Sequence, residues 1–179
     1  MSNLIIRGVI RTKFVMTSRE KASRMIRSNA EAYLKIAEQI GAVSSSKQVT
    51  VPPMIGVDPE MRGWSVFQIM EHNAIVNRII ARSVEKLAKG EDPTPERPIN
   101  HKTDVLPKRL SGPEQIVAFR ESVDSYLSMI ATLPKLRGTA ETPHPVFGSF
   151  DAHKWHCMFG FHLGLHLKQA EKVVSFLPR

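Results

Sequence analysis

Two histidines four residues apart, His162 and His166, are the pair whose type and spacing most directly suggest chemistry. On a helix, residues at this spacing lie one above the other on the same face, so both imidazoles can reach one metal ion. At about 100° per residue the rest of that face is mostly apolar, which directs both side chains toward the core. The residues predicted to share the face are Trp155, Met158, Phe159, Gln169 and Val173.

His72 is a third histidine within an apolar stripe, in line with Ile69, Val76 and Ile79. Burying imidazoles without partners is costly, because each has a donor and an acceptor to satisfy. One shared divalent ion would satisfy all three rings, and zinc, nickel and ferrous iron all suit imidazole. We therefore predict a metal site made by three histidines and open at a further position. For each histidine alone, the alternative is a core residue bonded to a backbone carbonyl.

Other candidate metal ligands, and one catalytic mechanism, are excluded on spacing and residue type. Helical projection sends His153 and Cys157 to the side opposite His162, and His156 to a flank. Leu163 stands where the HExxH metalloproteases carry the glutamate that acts as their general base, so that mechanism is ruled out. Cys157 is the only cysteine, so an intramolecular disulfide is impossible, and a cytoplasmic location is favoured.

Four amphipathic patterns predict the helices that position these residues, at about 18–40, 64–89, 111–134 and 151–176. Predicted ends are a capping box of Thr17 with Glu20, C-caps at Gly41 and Gly90, a second capping box of Ser111 with Glu114, and an N-cap at Asp151. No convincing strand run is present, although 48–51 could be a short extended piece. The fold class predicted is therefore all-α, a four-helix bundle with long interhelical loops in a single domain over 1–179.

Residues 1–16 are ambiguous and form an N-terminal extension of uncertain structure. Their apolar positions fit an edge strand, an extra turn of helix or a dimer contact. Arg7, Arg11 and Lys13 interrupt the uncharged run that a signal peptide needs, so no export signal is expected. No window approaches the roughly 20 apolar residues that span a bilayer, so no membrane partner is expected.

A net charge of +8 raises the question of a nucleic-acid surface. The basic residues are scattered and interleaved with acidic ones, and no aromatic side chains lie near them as stacking platforms. The charge therefore predicts a solvated surface and no nucleic-acid partner.

Two segments resemble known motifs: WSVFQIMEH at 64–72, and HPVFG at 144–148 followed by Trp155, His162, His166 and Gln169. Their order and separation are similar to those of the DinB/YfiT-like superfamily. The resemblance implies a four-helix bundle of unusual connectivity, often a homodimer, that holds a divalent ion with His72, His162 and His166. Zinc or nickel is favoured and iron is the alternative. Some relatives resemble S-transferases or isomerases that use a low-molecular-weight thiol, and others resemble hydrolases.

The leading hypothesis is a metal-dependent enzyme, a thiol-dependent transferase or a hydrolase, acting on a small molecule. The alternative is a non-catalytic binding or stress-response module stabilised by the metal. Glu71, Asn73 and Gln169 are candidates to orient the imidazoles, or else ordinary surface or capping side chains. His144 either anchors its turn or lies at the mouth of a pocket. Trp64 and Trp155 are predicted core residues, with a substrate platform as the alternative.

Overall fold

The computed structural model describes residues 3–94, 100 and 103–178. Its elements, in chain order, are α1 (Asn3–Met16), α2 (Arg19–Ser45), a short 3₁₀ helix (Pro59–Met61), α3 (Val66–Lys89), α4 (Glu114–Thr132), β1 (Thr142–His144), β2 (Gly148–Phe150) and α5 (Ala152–Phe176). The described chain is therefore mostly helical, as predicted. None of its helices combines the length and apolar character needed to cross a membrane.

The N-terminal segment forms a helix of its own, so the part of 1–16 that is described is not an edge strand. The dimer contact considered for these residues stays a prediction. Phe14 is buried on α1 and packs edge-on against Phe150 and Phe161, at 5.8 and 5.9 Å between ring centroids. Arg11, on the same helix, donates a hydrogen bond to the carbonyl of Phe147. These contacts fasten α1 to α5 and to the β1–β2 turn.

The first helix cap differs from its prediction by one residue. The side chain of Ser18, not Thr17, accepts the backbone N–H of Lys21 at 3.2 Å. The Thr17 hydroxyl instead donates to the carbonyl of Lys13 and belongs to the end of α1. Gly41 interrupts α2 with φ of 71° and ψ of 169°, and the helix continues for one further turn to Ser45, with Ser46 as its C-cap. The C-cap predicted at Gly41 is therefore a kink within the helix.

The two helices that carry the histidines begin and end within two residues of their predicted bounds, although the capping box at the start of α3 was not predicted. Ser65 and Gln68 form a capping box at the start of α3, and Gly90 ends that helix in the left-handed conformation. Asp151 caps α5 by accepting the backbone N–H of Lys154 at 2.9 Å. Both ends of α3 and the start of α5 are thus set by local hydrogen bonds.

The capping box predicted for α4 is wrong. Ser111 donates its hydroxyl to a carboxylate oxygen of Glu71 at 2.5 Å, and α4 begins after Pro113 without a side-chain cap. The carboxylate of Glu114 accepts the backbone N–H of Gly112 instead. Burial of Glu71 beside the connection accounts for the difference, since a charged acceptor competes strongly for a nearby hydroxyl.

A small hairpin is a second departure, because 134–150 was expected to be a loop. β1 and β2 pair antiparallel, with Thr142 opposite Phe150 and His144 opposite Gly148. Strands of three residues are too short to display an alternating pattern, so they could not be predicted from hydrophobic periodicity. The expected extended piece at 48–51 has no strand pairing, and a single isolated bridge joins Met54 to Val57.

The long helices share one apolar core, in which α5 packs against α2 and α3, and α3 packs against α4. Gly160 marks a close approach of α5 to α2. A Cβ atom at this position would lie 2.7 Å from Met25 Cε and 3.2 Å from Ile26 Cγ1. The packing of α5 against α3 brings the histidine faces of these two helices toward each other.

Candidate metal centre

The three predicted histidines meet between α3 and α5. One ring nitrogen from each of His72, His162 and His166 can be chosen so that all lie within 4.8 Å of one another. Nε2 of His72 lies 3.3 Å from Nε2 of His162. In a tetrahedral zinc site with bonds near 2.05 Å, neighbouring nitrogens are about 3.3 Å apart. The spacing of this pair therefore fits two ligands of one ion.

The orientation of His72 is set by the connection between α3 and α4. Its Nδ1 lies 2.7 Å from the carbonyl oxygen of Val105. Because a carbonyl can only accept, Nδ1 carries the proton, and Nε2 of the neutral ring keeps its lone pair. Trp64 packs on the same ring at 5.0 Å between centroids, in the core position predicted for it.

The orientation of His166 is set by Gln169 in the same way. The amide nitrogen of Gln169 donates to the carbonyl of Met61 at 2.7 Å, which turns its oxygen toward His166. That oxygen lies 2.7 Å from His166 Nδ1, so Nδ1 donates and Nε2 keeps its lone pair. A hydrogen-bond acceptor behind a ligand histidine is the usual arrangement at metal sites.

Among the described residues, His162 has a polar partner at one of its two ring nitrogens. Its Nδ1 is buried and has no hydrogen-bond partner among the described residues, while its Nε2 faces that of His72. An unpaired buried nitrogen costs free energy, so the described protein groups satisfy this ring incompletely. A cation between the rings would bind the facing Nε2 lone pairs of His72 and His162, which leaves Nδ1 of His162 as the protonated nitrogen of that ring.

Burial keeps all three imidazoles in the form that binds metals. Loss of hydration and the neighbouring His166 lower the pKa of His72 to about 3, although the hydrogen bond to the Val105 carbonyl opposes the shift. Burial also lowers the pKa of His162 and of His166, although the hydrogen bond to Gln169 opposes the shift in His166. The rings are therefore neutral at pH 7, with lone pairs available for a ligand bond.

Of the three candidates for orienting the imidazoles, Gln169 is the one found in contact with a ring. The carboxylate of Glu71 accepts from Ser111 and from the backbone N–H of Lys108, so it fastens the start of the α4 region. Asn73 donates to the hydroxyl of Tyr33 and the carbonyl of Ile69. Both side chains are buried and hold elements together, which differs from the surface or capping role weighed for them.

The histidines excluded by helical phase lie elsewhere. His153 Nε2 bonds to the carbonyls of Phe14 and Thr17. His156 accepts from the Tyr126 hydroxyl at Nδ1 and donates at Nε2 toward Arg19. Both rings therefore join α5 to α1 or α2 and α4, which is the core role expected of a lone histidine.

The structure also gives the surroundings of Cys157 and His144. Cys157 is fully buried, and burial raises its pKa to about 12, so it is a structural thiol. His144 accepts the backbone N–H groups of Val146 and Phe147 at its Nδ1, which fixes the hairpin turn. It also lines the cavity described next, so the two roles considered for it coexist.

A cavity of about 340 Å³ adjoins the three imidazoles. Its walls are mostly apolar and come from α3, the connection between α3 and α4, α5, the hairpin and the 3₁₀ region: Met61, Val76, Ile79, Ile80, Val105, Pro145, Val146, Trp155 and Met158. Trp155, predicted to be core, is thus a wall residue. Asp58 is the one acidic residue among the described residues lining the cavity. The site can therefore receive a small, largely apolar molecule beside the imidazoles.

Sequence reasoning found the three histidines and Gln169 but missed the carbonyls of Val105 and Met61. Backbone carbonyls are common to every residue, so nothing in their side chains could have pointed to them.

Comparison with known proteins supports the family resemblance. The family model described as the DinB superfamily matches residues 26–170, which include all three histidines. No curated protein and no solved structure matches the chain. Since the family match extends over most of the 179 residues, the chain belongs to the DinB superfamily.

Proposed function

We propose that this protein is a metal-dependent enzyme that binds one divalent ion through His72, His162 and His166. The observation that carries the proposal is the pair of outward-facing hydrogen bonds, from His72 to Val105 and from His166 to Gln169. Both leave Nε2 unprotonated and turned toward the third ring. Imidazole ligands favour zinc or nickel, with ferrous iron as the alternative.

The reaction class we propose is thiol-dependent transfer or hydrolysis. A metal ion held there would supply Lewis acidity, which lowers the pKa of a water or thiol that reaches it. Cys157 is buried with a pKa of about 12, so a thiol nucleophile would come from a low-molecular-weight compound. Asp58 is the acidic residue at the cavity and is the candidate to accept a proton.

The test is metal analysis of protein purified without an affinity tag. We expect about one ion per chain in the wild type and loss of it in His162→Ala. His153→Gln is the matched control, because it alters a buried histidine of the same helix outside the cluster. Full metal content in His162→Ala would overturn the ligand assignment.

Cobalt substitution separates an enzyme from the alternative, a non-catalytic binding or stress-response module. An open coordination position would let added mercaptoethanol bind and produce a thiolate-to-cobalt absorption band. An unchanged spectrum would indicate a closed site and favour the module. The cavity beside the imidazoles supports the enzyme.

We also propose that α2 to α5 form the four-helix bundle of the family in a single domain, since their apolar residues belong to one core. A homodimer is supported by Val9 and Met16, which are 63% and 81% exposed on the face of α1 opposite Phe14. Sedimentation of Met16→Asp beside the wild type tests it, with a shift toward monomer expected. The single cysteine, which allows no intramolecular disulfide, supports a location in the reducing cytoplasm.

A further inference from the structure

A second groove lies beside the cavity and has the same apolar character. This groove, called the α1 groove below, has a volume of about 240 Å³. Its apolar walls come from α1, the turn before the 3₁₀ helix, the hairpin and α5: Ile10, Ile55, Phe147, Phe161 and Leu165. Ile55 is 89% exposed, so its side chain is accessible to a molecule in the groove.

The α1 groove adjoins the cavity at the three histidines. Gly56 and Val146 line both spaces. Gly56 has φ of +78°, and a Cβ atom there would lie 2.8 Å from Leu165 Cδ1. The glycine therefore allows the turn to approach α5 closely at the junction, where a larger residue would be strained and would meet Leu165.

The charge of the α1 groove is positive at one place. Arg7 is exposed and is the charged side chain among the described residues that line the groove, with no acidic residue beside it. It has no ion pair with any described residue. Arg11, one turn further along α1, is occupied by the carbonyl of Phe147. Arg7 therefore offers, beside an apolar groove, an exposed cation that is not ion-paired with any described residue.

We propose that the substrate is an elongated molecule with an apolar body and an anionic end, and that Arg7 selects it. The inference rests on the proposed function, because the reacting group must lie at the three histidines. The apolar body extends past Gly56 and Val146 into the α1 groove, and the anion, a carboxylate or sulfonate, pairs with Arg7. Guanidinium groups bind such anions with two parallel hydrogen bonds.

Two fluorescent probes of matched shape test the proposal. Anilinonaphthalene sulfonate carries an apolar body and one anion, and N-phenylnaphthylamine has the same body without the anion. We expect one sulfonate probe per chain, bound more tightly than the neutral probe. Arg7→Ala should weaken the sulfonate probe about fivefold, the upper range for a partly exposed ion pair, and leave the neutral probe unchanged. Arg7→Lys should restore part of the loss.

Two controls complete the design. Arg24→Ala removes the same charge from an exposed position of α2 and should change neither affinity. Val146→Trp fills the junction and should weaken both probes. Zinc binding by Arg7→Ala should equal that of the wild type, so a failure of the metal site appears in the zinc titration and a failure of the groove in the probe titration.

Several results would overturn the proposal. One is equal affinity of Arg7→Ala and wild type for the sulfonate probe. Another is sulfonate binding that Val146→Trp leaves intact. A third is a wild type that binds neither probe and forms a dimer weakened by Arg7→Ala, which would show that a second copy of the chain fills the α1 groove.

Discussion

Replacing Gln169 by leucine should weaken metal binding without removing a ligand. Gln169 is fully buried and links two groups: it accepts from His166 Nδ1 and donates to the Met61 carbonyl, both at 2.7 Å. Leucine has a similar volume but neither polar atom. His166 is then free to rotate and to exchange tautomers, so its Nε2 is no longer held toward His72 and His162.

The size of the effect follows from the two hydrogen bonds. Loss of an acceptor behind a ligand histidine typically costs about 10- to 100-fold in metal affinity. Two buried groups left unpaired should also lower the free energy of unfolding of the metal-free protein by about 2–4 kcal/mol. Gln169→Leu should thus keep a stoichiometry of one ion per chain and bind it more weakly.

Competition with a chromophoric chelator measures the affinity, and urea unfolding measures the stability. Gln115→Leu is the matched control, because Gln115 is a buried glutamine on α4 whose amide bonds to Glu114 and not to the metal centre. It should lower stability and leave zinc affinity unchanged. Wild-type zinc affinity in Gln169→Leu would refute the argument that this amide orients His166.

Three further predictions concern the core. Tyr33→Phe removes the donor to the Leu163 carbonyl and the acceptor for Asn73, and should lower the free energy of unfolding by about 1–2 kcal/mol in urea titrations. Burial lowers the pKa of His156 from 6.5 to about 4. Between these values the unfolded chain binds a proton that the folded chain excludes, so stability falls as pH falls, by up to about 1.4 kcal/mol per pH unit. His156→Gln should flatten this dependence, and an unchanged slope would contradict the assignment. Cys157 should resist iodoacetamide at pH 8 until urea unfolds the chain, as mass spectrometry can follow, because burial raises its pKa to about 12.

Helix positions were predictable wherever a local signal had no competitor. Gly90 and Asp151 end and begin their helices as expected, because a left-handed glycine and a capping carboxylate act on adjacent backbone groups. The prediction of Thr17 as the cap of α2 was wrong because Ser18 offers the same hydroxyl one residue later. The prediction of Ser111 as the cap of α4 was wrong because its hydroxyl donates to Glu71, which is distant in sequence. Local rules cannot anticipate a partner that arrives through tertiary packing.

The candidate site divides in the same way. Helical phase separated His162 and His166 from the other histidines of α5, and the apolar stripe around His72 marked the third ring. The groups that fix these rings could not be predicted, because the Val105 and Met61 carbonyls depend on the path of the connections. The α1 groove could not be predicted from the sequence either, since it forms where α1 meets the hairpin.

The anchoring of His72 by Val105 has a consequence for redesign. The ring is carried by α3, but its rotation is governed by a carbonyl in the segment that leads to α4. Metal affinity can therefore be tuned by rebuilding that segment, with the ligands and the packed helices left untouched. A library varied at residues 103–106 and selected for zinc retention would give graded affinities from one unchanged set of imidazoles.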